Sequence, residues 1–117
     1  MSHALFHLAR EAIRHHLTRG AILDVSGRPG DGPAVGVFVS LHDPPRPGES
    51  EGRLRGCRGS IEPFERSLFA ETVRQAVYSA VDDPRCESVR LDEVDSLEIS
   101  VYLLDPPESI DGMDQLD

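Results

Sequence analysis

With 117 residues, 38% of them hydrophobic, the chain is long enough for one compact domain over residues 1–117 and too short for two. Aromatic residues are only 5% and Trp is absent, so the core must be mostly aliphatic. The formal charge of −9 is uneven: residues 1–60 hold eight Arg against six acids, residues 61–117 four Arg against fifteen acids. The acidic second half disfavours nucleic-acid binding, which needs clustered cations, and the lack of any Lys excludes a Schiff-base or P-loop lysine within this chain.

Ser2 is placed to cap a helix over 3–19, in which Leu5, Leu8, Ala9, Ala12, Ile13 and Leu17 recur at helical spacing before Gly20. After a short apolar stretch, Ile22 to Val25, the segment 27–33 is dense in turn formers. Residues 34–41 are apolar on both faces and rich in β-branched side chains, which predicts a central, buried strand. A Pro-rich loop runs from Asp43 to Gly52, and strand signals resume over 53–61, so the two segments form an antiparallel pair. Ser67 or Pro63 opens a second helix with an apolar stripe of Leu68, Phe69, Val73, Ala76, Val77 and Ala80, closed by Asp82-Asp83-Pro84. Residues 89–94 read as a link with room for one helical turn. Leu97, Ile99, Val101 and Leu103 alternate with polar residues as a half-buried strand, ended by Pro106-Pro107, and residues 108–117 read as a frayed tail. This order predicts an α+β fold, a mostly antiparallel sheet with two flanking helices.

No cationic n-region precedes an apolar run at the start, and no stretch reaches the length of a membrane span. A reducing cytoplasm fits, with Cys57 and Cys86 as free thiols; a 57–86 disulfide needs an oxidising compartment.

Gly52, Gly56 and Gly59 crowd one strand, which asks for a bulge, a bend, or close approach of a ligand or a neighbouring backbone. On a regular strand Arg53, Arg55 and Cys57 share a face, so Arg55 would sit beside the sulfur and favour its thiolate. The flanking glycines would leave backbone N–H groups free for an oxyanion. The competing reading makes Cys57 a small buried core residue. His42 is a candidate acid or base for Cys57 if the hairpin folds that way. Arg53, Gly56, Gly59 and Ser60 are the candidate binding residues around it. His3 and His7 have the i, i+4 spacing of a metal pair, but no third ligand is indicated and HExxH is absent, so no metal is expected. No cofactor fingerprint is present either. Glu62 and Glu65 suit the start of the second helix, where anions are favoured, and Glu71 has no evident partner.

Five segments resemble one family. Gly36-Val37-Phe38-Val39-Ser40-Leu41 is similar to its GVFVTL strand, and Leu54-Arg55-Gly56-Cys57-Arg58-Gly59-Ser60 to its LRGCIGS hallmark. Ala80 to Arg85 resembles its AAxxDPRF turn, Leu97 to Val101 its LEISV strand, and Leu8 to Ile13 its LARxAI helix. This is the AMMECR domain family, which includes protein A of the AmmeMemoRadiSam system. The resemblance implies an α+β domain with an antiparallel sheet, genomic association with Memo-like and radical SAM proteins, and an RGC cysteine under suspicion as a catalytic centre. Family members run on into a second half. The chain is therefore expected to be the N-terminal portion of the family domain, or a shortened form whose sheet edge a second chain or a second copy covers. The hallmark Ile is Arg58 here, a cation expected to reach solvent, an acid, or the space of that second half.

Three functions follow. The first is an accessory or binding component working with Memo-like and radical SAM partners. The second is an enzyme using Cys57 as a thiolate nucleophile. The third, nucleotide or RNA binding, is opposed by the acidic second half and scarce aromatics.

Overall fold

The computed structural model describes residues 3–104, with side chains from Leu5 onward. The Ser2 cap, the His3 side chain, the Pro106-Pro107 strand end and the 108–117 tail lie outside the described residues. The elements in order are α1 (His3–Arg19), β1 (Gly36–His42), β2 (Leu54–Ser60), α2 (Leu68–Val81), a 3-10 helix (Leu91–Ser96) and β3 (Glu98–Leu104).

Helix α1 buries Leu5, Leu8, Ala9, Ala12 and Ile13 along one stripe. It stops where Gly20 adopts a φ of 69°, a left-handed conformation that glycine reaches without a steric penalty. Helix α2 begins at Ser67, whose hydroxyl accepts the Ala70 N–H at 3.0 Å. It ends at Asp82, whose N–H donates to the Tyr78 carbonyl at 2.8 Å just before Pro84.

The sheet is antiparallel, in the order β2-β1-β3, so the strand expected to be central is central. Val37, Val39 and Leu41 are fully buried and form the helix-facing side of β1, with Val101 and Ile99 beside them on β3. Helix α2 covers β1 and β2 on this side, and α1 covers β3. Arg10 of α1 donates to the carbonyls of Val94 and Leu97, at 2.6 and 3.1 Å, which ties the helix to the 3-10 segment leading into β3. The opposite side of the sheet carries Phe38, Ser40 and His42 in the centre and Glu98, Ser100 and Tyr102 on β3. The result is the expected α+β architecture, in two layers around an aliphatic core.

The hallmark strand departs from regular alternation at one place. Leu41 pairs with Gly56 but His42 pairs with Leu54, so Arg55 is an extra residue in a bulge. Beyond the bulge, Gly56, Arg58 and Ser60 lie on the helix side opposite Leu41, Val39 and Val37, while Cys57 and Gly59 lie on the other. Arg55 thus does not follow the face it would share with Cys57 on a regular strand.

Candidate functional site

The hallmark segment and the Asp82-to-Cys86 turn meet at the outer edge of β2. The Cys57 N–H donates to Asp83 Oδ2 at 3.0 Å, where a further strand would otherwise pair. Asp83 is buried and also receives three bonds from Arg85: the backbone N–H and Nε at 3.0 Å, and a terminal nitrogen at 2.7 Å. The Arg85 fork, then its backbone N–H and that of Cys57, hold the Asp83 carboxyl well below the usual carboxylate range. The Asp83 carbonyl accepts the Cys86 N–H at 3.0 Å, and the Cys86 thiol donates to the Leu54 carbonyl at 3.7 Å. One turn therefore positions both cysteines.

Arg55 is only 5% exposed and makes two bonds of 2.9 Å to the Glu93 carboxylate and one of 3.0 Å to Asp43. Its hydrogen bonds to Glu93 raise the Arg55 pKa, despite burial, and bring Glu93 down to about 2. Glu93 also accepts the Arg90 N–H at 2.9 Å, so the same carboxylate caps the 3-10 helix. Arg53 is exposed, with Nε 3.3 Å from Asp43. Arg58 reaches an acid, as one of its expected destinations: it donates to Asp82 at 2.8 Å, at the end of α2.

Three local expectations change. The guanidinium expected beside the Cys57 sulfur is held by Glu93 and Asp43, and the arginine at the turn that binds the Cys57 N–H is Arg85. The Cys57 N–H is not free for an oxyanion, because Asp83 takes it. Glu71, without an evident partner in the sequence, is fully buried and accepts the Phe64 and Glu65 N–H groups and the Gln75 amide, each at 2.8 Å.

The glycines have packing causes. A Cβ on Gly56 would lie 1.8 Å from the Ser79 carbonyl oxygen, so the strand touches the backbone of α2 there. A Cβ on Gly59 would lie 2.3 Å from the Phe38 ring on the other face. Ser60 donates to the Glu62 carbonyl at 2.5 Å and closes the turn after β2. His42 shares its face with Ser40, the cross-strand partner of Cys57. Its Nδ1 lies 3.3 Å from the Ser40 hydroxyl and its Nε2 3.5 Å from Glu51. Among the described residues no group of three or more His, Cys, Asp or Glu could hold a metal ion, and no helix is long and apolar enough to cross a membrane.

Asp43, Asp83, Arg85 and Glu93 are the site residues that sequence reading does not single out. For Asp83 and Arg85 one signal exists, that the hallmark and the Asp-Pro-Arg turn are both family segments; for Asp43 and Glu93 there is none. Their contact depends on long-range packing.

The AMMECR1 family model matches residues 6–117. The chain belongs to the AMMECR1 family. Protein PH0010 of Pyrococcus horikoshii is 41% identical over 113 residues, covering 92% of this chain and 52% of its own length. A Pyrococcus furiosus protein is 38% identical over 115 residues, with 92% and 51% covered. A Clostridium acetobutylicum protein is 36% identical over 107 residues, covering 87% of this chain and 21% of itself. The chain thus spans about half the length of the archaeal relatives. The crystal structure of PH0010, described as an uncharacterized protein, superposes with a TM-score of 0.73 at 34% identity, over 92% of this chain and 55% of that one. The likeness thus extends from sequence to fold.

Proposed function

We propose that this AMMECR1-family domain is a cytoplasmic accessory or binding component that works with Memo-like and radical SAM proteins, rather than an independent catalyst. The observation that carries this reading is the commitment of the polar groups around Cys57 to the fold. Its N–H is held by Asp83. Arg55 is locked between Glu93 and Asp43, and Arg58 is paired with Asp82. A nucleophile site keeps donors aimed at the place where charge develops in the reaction, whereas these donors are spent within the chain. The half-buried, Gly-flanked segment then serves as a rigid surface of fixed shape. The test is co-purification of the chain with a Memo-like and a radical SAM protein from the same genome, using wild type and Cys57→Ser. Equal capture by both supports the binding role. Absence of capture by the wild type refutes it.

The second reading, a Cys57 thiolate enzyme, is favoured by one observation. Arg85 and the Cys57 N–H bind the same Asp83 carboxylate, which brings a cation to the turn beside the Cys57 backbone. Alkylation of Cys57 in Cys86→Ser as a function of pH separates the readings. A midpoint well below the free-thiol value of about 8.5 favours the enzyme. Labelling that appears only on unfolding favours the accessory role.

A further inference from the structure

Beside the bulge is a cavity of about 270 Å³, walled by Arg53, Leu54, Arg55, Arg85, Cys86 and Glu87. That is close to the lower end, roughly 300 Å³, of pockets that take small molecules. We propose that it is a binding site for a small oxyanion, carboxylate or phosphate, and that Cys86 rather than Cys57 is the thiol that meets the bound ligand.

Three of the six wall residues are cations and only Glu87 is an acid. The carboxylates that orient the arginines, Asp43, Glu93 and Asp83, are not part of the wall. They fix the guanidinium groups without filling the cavity. Arg55 is immobilised by burial and by its bonds to two carboxylates, so it supplies a fixed charge. Arg53 meets Asp43 through Nε alone, and Arg85 meets Asp83 through Nε and one terminal nitrogen. Among the described residues this leaves both terminal nitrogens of Arg53 and one of Arg85 as donors for a ligand, in the planar forks that suit carboxylate and phosphate oxygens. Asp43, Glu93 and Asp83 offset the charge of the three arginines, so recognition rests on the N–H donors left over rather than on net charge.

Cys86 forms part of this wall, and its bond to the Leu54 carbonyl fixes the sulfur there. Cys57 is not a wall residue, since its side chain lies on the sheet face with Ser40. The inference stands whether or not Cys57 is a nucleophile, and it concerns a different thiol.

The experiment uses Cys57→Ser, in which Cys86 is the single thiol, and compares iodoacetate with the neutral iodoacetamide. In both reactions the sulfur displaces iodide from the methylene carbon, forming C–S as C–I breaks, and the thiol proton passes to buffer. The neutral reagent reports exposure and the anionic one adds the cavity's unspent donors. The expected ratio of iodoacetate to iodoacetamide rates is about tenfold above that of a cysteine peptide, the effect of one charge-assisted hydrogen bond to the reagent's carboxylate. Inorganic phosphate should slow the iodoacetate reaction. Arg53→Gln, at an exposed position that spares the fold, should bring the ratio down toward the peptide value. A ratio equal to the peptide's in the folded protein overturns the proposal, as does one that neither phosphate nor Arg53→Gln changes.

Discussion

The backbone N–H of Cys57 and the carboxylate of Asp83, 26 residues apart in the chain, are joined at 3.0 Å across the outer edge of β2. The bond seats the hallmark cysteine against the turn that ends α2. Replacing Asp83 with Asn removes the charge that gathers four donors. A loss of about 2 kcal/mol is expected, in the range for hydrogen bonds to charged groups. Urea denaturation measures it, and amide exchange at Cys57 should quicken more than at Val39, whose strand is paired on both sides.

Arg55 is the buried cation of the bulge. Arg55→Met leaves Glu93 and Asp43 without their buried cation, and breaking such a pair from one side costs about 3 kcal/mol. The double variant with Glu93→Gln should recover part of that loss, giving a coupling energy in a double-mutant cycle. Additive losses would mean that the two side chains do not depend on each other.

The two hallmark glycines differ in what surrounds them. At Gly56 the obstacle is backbone, the Ser79 carbonyl, whereas at Gly59 it is the Phe38 ring, which can turn. Gly56→Ala is expected to cost about 3 kcal/mol, the upper end for overpacking, and Gly59→Ala about 1 kcal/mol. Paired denaturation curves read the difference. Equal costs would contradict the close approach of β2 to α2.

Acid should weaken the fold through the same carboxylates. The Glu93 pKa falls to about 2 in the folded chain, and Asp83 is also well below its ordinary value. Both groups bind fewer protons folded than unfolded, so the stability they confer is complete above about pH 5 and falls as pH drops through their folded values. Denaturant midpoints measured between pH 6 and pH 2 should decline, and Glu93→Gln should flatten the decline.

The architecture was largely legible because it follows from periodicity. The 3–19 helix, the second helix opened by Ser67 and the central place of the Val37-Val39-Leu41 strand all come from apolar spacing and capping residues. The site was legible only as a segment. Alternation places Arg55 next to Cys57, but a bulge shifts one residue; the glycine cluster signals a bulge in this strand without fixing it at Arg55. Glu71 could not be assigned partners because two of its three donors are N–H groups of a loop, and a donor there becomes visible only when the chain is folded. Asp83 illustrates the same limit: it marks a helix end in the sequence and anchors a strand in the structure.

The Asp83 bond also bears on self-association. A sheet polymerises only if each added strand exposes another open edge, and here the outer edge of β2 carries a carboxylate-bearing turn instead. Among the described residues β3 pairs on one side only, with β1. Among the described residues, a strand adding at β2 has to displace Asp83 from the Cys57 N–H, whereas one adding at β3 does not, so edge-to-edge pairing of two chains is favoured at β3 over β2.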